Sequence, residues 1–247
     1  MLPVDLVTAL DAVAATPRLL VTSDFDGTLS PIVNNPADAR ALPAGSAALL
    51  DLVELPHTSV ALVSGRALEV LRELSGMPES VHLVGSHGAE FNTGFTQPVD
   101  GVLLARITDS LTEIAHQYPG VAVETKPASV ALHVRNASEA DGMAALTAAR
   151  LAGTEWDAET TEGKAVLEFA VVATNKGSAI DVLRERDDAT AVVFLGDDVT
   201  DEKAFARLRD GDVGVKVGPG PSAAQYRVDS PEDVAEVLAY LAGRRAG

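Results

Sequence analysis

RLLVTSDFDGT, residues 18–28, sets a run of apolar and small residues directly against two aspartates, Asp24 and Asp26, with Gly27 and Thr28 behind them. A short apolar run stopped by Gly and polar residues reads as a strand buried on both faces. Two carboxylates two residues apart at such an end can converge while Phe25 turns away into the core. Gly27 permits an unusual backbone path, and Thr28 offers a hydroxyl. The plainer alternative is an Asp-rich turn capping the next helix, although such a turn needs only one Asp.

Similar runs recur outward from this stretch. Residues 58–63 end at Ser64-Gly65-Arg66, residues 81–84 end at Gly85, and residues 191–195 end at Gly196-Asp197-Asp198. Helical patterns lie between them. Leu68, Leu71 and Leu74 mark a helix over 67–74, and Val234, Val237, Leu238 and Leu241 mark another, with Ser230 as N-cap and Pro231 at its first position. The outer parts therefore predict an α/β fold with a doubly wound, Rossmann-like parallel sheet. The middle differs. A helix marked by Leu104, Ile107, Leu111, Ile114 and Tyr118 precedes strands at 121–125 and 129–134; a helix over 139–151 precedes strands at 154–158 and 165–169. That order predicts an inserted α+β domain over 101–172, the core being 1–100 and 173–247.

Composition narrows the chemistry. The 247 residues carry 36 acidic and 19 basic side chains, a formal charge of -17, which repels phosphate backbones and anionic lipid surfaces. Neither nucleic acid nor membrane is an expected partner, and 4% aromatic residues give no platform for stacking bases. There is no cysteine, which excludes disulfides, thiolate nucleophiles and Cys-based zinc sites. No basic-then-apolar leader opens the chain, and the default expectation is a cytoplasmic location. Lysine is scarce, at positions 126, 164, 176, 203 and 216 only.

In an open α/β sheet, ligands bind beyond the carboxyl ends of the strands, and four polar clusters are predicted there. The first is Asp24 to Thr28. The second, Ser64-Gly65-Arg66, reads equally as an anion site of backbone N–H groups and hydroxyl or as an ordinary N-cap. The third, Asn175-Lys176-Gly177, opens a helix over 178–183; its lysine is a functional cation or a solvated surface group. The fourth, Gly196-Asp197-Asp198-Val199-Thr200-Asp201-Glu202, puts four acids within six residues. Mg²⁺ accepts such oxygen ligands, and acids are also common in a helix's first turn. Asp197 is expected nearest the metal, with Asp201 or Glu202 serving the helix or an outer shell.

These clusters, in this order, resemble the haloacid dehalogenase (HAD) superfamily of phosphohydrolases. DFDGTLSPI at 24–32, GSHGAE at 85–90 and GDDVTDE at 196–202 resemble, more narrowly, the trehalose-6-phosphate phosphatase family. In the insert, Glu124-Thr125-Lys126, His133-Val134-Arg135 and Gly163-Lys164 with Glu168 look like that family's sugar-holding residues. Alternation places Glu124 with Lys126, and His133 with Arg135, on common sheet faces; an ordinary solvated charged face is the alternative. Two departures touch the insert: Phe-Ala-Val-Val follows Glu168 where the family often has Glu-hydrophobic-Arg-Pro, and Val134 stands where an aromatic is frequent.

The resemblance implies Mg²⁺-dependent hydrolysis of a small-molecule sugar phosphate, trehalose 6-phosphate, in trehalose biosynthesis. It implies that Asp24 attacks phosphorus to form an aspartyl-phosphate while Asp26, protonated when the ester arrives, hands its proton to the leaving oxygen. Metal ligands would be the Asp24 carboxylate, the Asp26 carbonyl, Asp197 and Asp198. Lys176 and Ser64 would share the phosphate oxygens. Thr28, Gly65, Arg66, Ser86, His87 and Gly88 in the core, and Glu124, Lys126, Arg135, Lys164 and Glu168 in the cap, would contact substrate. A synthase partner is not readable from the sequence. Phosphatases of sucrose phosphate or mannosylphosphoglycerate share this chemistry. An Asp-phosphorylated receiver or sensor module also places acids at strand ends, but needs neither Asp26 nor an insert of paired charges.

Overall fold

Strands buried on both faces have to be covered on both faces, and that requirement organises the larger part of the chain. The computed structural model describes residues 2–247. It forms two units, one comprising residues up to Thr93 and Thr174–Gly247, the other Gly94–Ala173. In the first, helix α1 (Val4–Ala14) leads into β1 (Leu19–Ser23), and α2 (Pro43–Val53), β2 (Thr58–Val63), α3 (Leu68–Ser75) and β3 (His82–Gly85) follow. A short strand β4 (Glu90–Phe91) runs antiparallel to β3.

The second unit holds the two-residue β5 (Gly94–Phe95), then α4 (Gly101–Ala115), β6 (Ala122–Thr125), β7 (Ser129–His133), α5 (Glu139–Gly153), β8 (Glu159–Gly163) and β9 (Val166–Ala170). The first unit resumes with α6 (Lys176–Arg186), β10 (Ala191–Gly196), the single turn α7 (Glu202–Phe205), β11 (Val213–Val217), β12 (Tyr226–Val228) and α8 (Pro231–Ala246).

In the first unit the strands run β12-β11-β10-β1-β2-β3 in parallel, so the doubly wound sheet holds. Side chains alternate between two apolar clusters. Leu19, Val21, Leu62, Val193 and Leu195 meet α1, α2, α3 and α8, while Leu20, Val63, Val192 and Phe194 meet α6 and α7. The Val234, Val237, Leu238, Leu241 stripe of α8 is fully buried, worth about 1.5–3 kcal/mol per side chain. Ser230 and Asp233 cap that helix reciprocally, with Pro231 at its first position, as the sequence predicts. Chain order reverses between β1 and β10, so the crevice of the fold opens beyond Ser23 and its register partner Leu195.

The second unit is an antiparallel sheet, β6-β7-β9-β8, whose Val130, Leu132, Leu167 and Phe169 pack on Ile107, Leu111, Ala145 and Ala149 of its two helices. The strand expected at 154–158 is corrected: Thr154 caps α5 and the strand is β8, starting at Glu159. All five β8 residues are exposed on the sheet edge, so Glu-Thr-Thr-Glu-Gly has no apolar alternation to announce it. A second correction concerns Asn175-Lys176-Gly177, which follows no strand of the core sheet; Asn175 caps α6 and Lys176 is its first residue. No helix among the described residues is long and apolar enough to cross a membrane.

A buried ion pair locks α6 to the sheet. Arg184 grips both oxygens of Asp212, which also accept the N–H groups of Val192 (2.8 Å) and Arg209 (2.7 Å). Asp212→Ala leaves a buried guanidinium and two N–H groups unpaired, and urea denaturation is expected to show a loss of about 3–5 kcal/mol.

Candidate active site

The Asp24 N–H donates to the Leu195 carbonyl at 2.9 Å, continuing the β1–β10 ladder one residue past the strand and fixing where the carboxylate starts. Phe25 is wholly buried in the core, as alternation requires. The chain then folds tightly, with the Leu29 and Ser30 N–H groups both donating to the Phe25 carbonyl at 3.0 and 2.8 Å. Gly27 has φ +79°, and a Cβ there would lie 2.1 Å from Oδ2 of Asp197. Only glycine lets the Asp197 carboxylate come that close to this turn.

Lys176 enters from the first turn of α6. Its Nζ donates to Asp24 Oδ1 at 2.8 Å and to Asp201 Oδ1 at 2.7 Å. All three groups are buried, with relative exposures of 2% for Lys176, 4% for Asp24 and 0% for Asp201. The other oxygen of Asp201 accepts the N–H groups of Asp197 and Asp198, each at 2.9 Å. Thr28 donates its hydroxyl to Asp197 Oδ1 at 3.4 Å. Asp24, Asp197 and Asp201 bring carboxylate oxygens within 4.8 Å of one another.

Two buried acids and the half-buried Asp197 lie around one ammonium, which bonds Asp24 and Asp201, and the electrostatics follow. At 4.8 Å, two unit charges repel by about 3 kcal/mol at an effective dielectric of 20. Burial, reinforced by Asp201 and Asp197 against the pull of Lys176, holds Asp24 well above the usual carboxylate range. Burial and then Asp201 push Asp197 up to about 6. Burial alone would discharge Lys176, but the flanking Asp24 and Asp201 outweigh it and raise its pKa. A cluster of hard oxygen donors with excess negative charge fits a divalent cation such as Mg²⁺.

The carboxylates that come together are Asp24, Asp197 and Asp201; Asp198, expected among the metal ligands, is exposed and caps the turn of Val199–Asp201, while Asp201, expected to serve the helix or an outer shell, is buried in the cluster. The signal was the acidic run itself; which acid turned inward depended on the one-turn 3₁₀ geometry.

Asp26 faces elsewhere. Both of its oxygens accept from Arg66, from Nε and Nη2 at 2.6 Å each, and the guanidinium lies 5.8 Å over the Phe25 ring. The expectation of a proton-bearing Asp26 and an anion-binding Arg66 is thus met by a bidentate ion pair. Ser64 Oγ accepts the Arg66 N–H at 3.2 Å in a local turn, and it is not an N-cap, because α3 begins at Leu68 with Ala67 in that position. The 85–90 loop clasps this turn: Ser86 N–H donates to the Arg66 carbonyl at 2.7 Å, His87 N–H to that of Ser64 at 2.9 Å. Ser86 and His87 both have positive φ, 50° and 55°, a strain that two non-glycine residues hold only when surroundings impose it. The His87 ring occupies the space a Cβ on Gly65 would need. Gly88 backs onto the Asn175 carbonyl at the start of α6.

In the second unit, Glu124, Ala131, Glu168 and Thr161 stand in one row across the sheet. Lys126 Nζ donates to both oxygens of Glu168 at 3.0 Å, and Ser129 Oγ to one of them at 2.6 Å. Glu124 meets His133 Nε2 at 2.9 Å. Glu124, Lys126 and Glu168 therefore share a face opposite the apolar one. Arg135, past the end of β7, and Lys164, in the turn after β8, are exposed outside these pairs.

Residues 22–232 match the family model for trehalose-phosphatase. A Mycobacterium tuberculosis protein described as an uncharacterized glycosyl hydrolase is 34% identical over 249 residues, covering 91% of this chain but 18% of its own length. The trehalose-phosphate phosphatase of Mycobacterium avium is 34% identical over 244 residues, covering 89% of this chain and 61% of that protein. The chain thus spans under a fifth of one relative and about three-fifths of the other. The C-terminal domain of Candida albicans trehalose-6-phosphate phosphatase shares the fold, with a TM-score of 0.83 at 24% identity over 98% of both chains.

A carboxyl whose folded pKa is raised binds more protons folded than unfolded, so stability falls as pH rises through the window between the two values. For Asp197 that window runs from 3.8 to about 6. Metal-free protein is expected to gain about 2–4 °C in Tm on acidification from pH 7 to 5, and Asp197→Asn to flatten that gain, read by calorimetry.

Proposed function

This chain belongs to the trehalose-phosphatase family, and on that premise we propose that it hydrolyses trehalose 6-phosphate to trehalose and inorganic phosphate with Mg²⁺ as cofactor. The observation that carries the reading is the buried Asp24 carboxylate, held by Lys176 within reach of Asp197 and Asp201 at the switch point of the sheet. A receiver module has no use for the paired charges of the second unit.

Asp24 is the nucleophile. Lys176 fixes its rotamer through Oδ1, leaving Oδ2 to attack phosphorus as the bond to the sugar oxygen breaks. Asp26 gives that oxygen its proton, then takes one from the water that attacks the aspartyl-phosphate, which releases phosphate and restores Asp24. Because both oxygens of Asp26 are held by Arg66, this role requires the side chain to leave the guanidinium and take up a proton from solvent before the ester bond breaks. The freed Arg66, with Ser64 and Lys176, is then available to the phosphate. Asp24, the Asp26 carbonyl, Asp197 and Asp201 would hold Mg²⁺, which supplies charge neutralisation between nucleophile and phosphate. Glu124, Lys126 and Glu168, with exposed Arg135 and Lys164, form the sugar-binding set of the second unit, the cap. Its internal ion pairs would exchange for trehalose hydroxyls.

Phosphate release from a panel of trehalose, sucrose and mannosylglycerate phosphates, with and without Mg²⁺, tests the reading; preference for another sugar overturns the substrate, and no release overturns the chemistry. Asp24→Asn is expected to abolish turnover. Asp26→Asn should slow trehalose 6-phosphate by about 10²–10⁴-fold and p-nitrophenyl phosphate much less, since nitrophenolate needs no proton; equal losses would remove Asp26 as the acid. Glu168→Ala should raise KM for trehalose 6-phosphate about tenfold or more and leave that for the aryl ester unchanged.

A further inference from the structure

Lys176 and Lys216 are the two buried lysines of the chain, and the reaction above uses only the first. Lys216 is 5% exposed in β11, whose five residues are all buried and otherwise Val or Gly. A lysine in such a strand is destabilising unless its charge is answered, so an apolar side chain is the default there. Val213, Val215 and Val217 join the apolar cluster on one face of the sheet, and Lys216 takes the opposite parity. It pairs in register with Gly196, the residue before Asp197, and its Nζ donates to the Asp197 carbonyl. Burial raises the pKa of Asp197, and Lys216 is one of two cations, with Lys176, that oppose the rise.

We propose that Lys216 is a positioning residue that fixes the Asp197 main chain and balances the carboxylate cluster, so that one site accepts a divalent cation and a phosphate anion together. The charges make the case. Asp24, Asp197 and Asp201 contribute three negative charges and Lys176 one positive, leaving two negative. A divalent ion brings these four groups to zero, so attraction for a phosphate dianion has to come from cations outside them: Arg66 once it leaves Asp26, and Lys216, with Asp198 opposing. Of the two cations, Lys216 is the one already fixed against the cluster. It acts from behind Asp197, through the carbonyl, without competing for a carboxylate oxygen. The inference rests on the metal-dependent reading of the site and adds to it a residue that holds neither ligand directly.

The consequence has opposite signs for the two ligands, which a purely structural residue would not produce. Removing a neighbouring cation strengthens cation binding and weakens anion binding. In metal-depleted protein, Mn²⁺ titration followed by electron paramagnetic resonance is expected to show about threefold or more tighter binding in Lys216→Met than in wild type. Calorimetric titration of inorganic phosphate at saturating Mg²⁺ should show affinity lower by about tenfold in the same variant, with Lys216→Arg restoring both values. Should Lys216→Met fail to fold by circular dichroism, Lys216→Gln carries the same reading. Loss of affinity for both ligands, or no change in either, overturns the proposal. Absence of Mn²⁺ binding in the wild type overturns the metal reading itself, and this inference with it.

Discussion

Three carboxylates gathered around a single ammonium, two of them buried and bonded to it, are the constraint on which the rest of the first unit depends. Asp24, Asp197 and Asp201 repel one another at their observed spacing, and only a fixed framework holds them there. The ladder bond from Asp24 to Leu195 sets the first, the β10 end sets the second, and two main-chain N–H groups aimed at Asp201 set the third. Lys176 then ties the first to the third from the start of α6. The strain is local: the fold holds surplus negative charge on ordered oxygens, an arrangement that a cation would relieve.

Supporting contacts converge on this cluster from the neighbouring elements. The Arg184–Asp212 pair holds α6, and with it Lys176, against β10, because Asp212 also accepts the Val192 N–H. On the other side, the 85–90 loop carries Ser86 and His87 in strained conformations so that their N–H groups can reach the Arg66 and Ser64 carbonyls. Glu90 from the same loop accepts the Leu68 N–H at 2.8 Å, capping the helix that follows Arg66. The turn bearing Arg66 is thus held from two directions, which is what aims its guanidinium at Asp26.

Much of this was legible in the chain. β1, β2 and β10 read directly as mostly apolar runs, since a strand buried on both faces is apolar at most positions, with small hydroxyl residues such as Thr22 and Ser23 tolerated. DxDGT signalled its chemistry through Gly27, where any side chain would collide with Asp197. What stayed hidden has physical reasons. Edge strand β8 carries no apolar pattern because it buries nothing. Among the acids of 196–202, a single 3₁₀ turn points Asp201 inward and leaves Asp198 exposed, a difference that the run of acids does not encode. The Asp26–Arg66 pair joins residues 40 apart and no local pattern encodes it. Lys216 sits in a strand with no motif around it, and only its burial marks it out.

The order of the central sheet bears on how the protein is made. β1 lies between β2, some 40 residues away, and β10, some 170 residues away in the chain. Until synthesis has passed the whole second unit, β1 has one open edge, and Asp24 at its end lacks the backbone acceptor that positions it. The α+β unit, which has a sheet and an apolar cluster of its own, can meanwhile close on itself as it leaves the ribosome. Assembly of the carboxylate cluster is therefore deferred until β10, some 170 residues further along the chain, zips onto a strand that is already made.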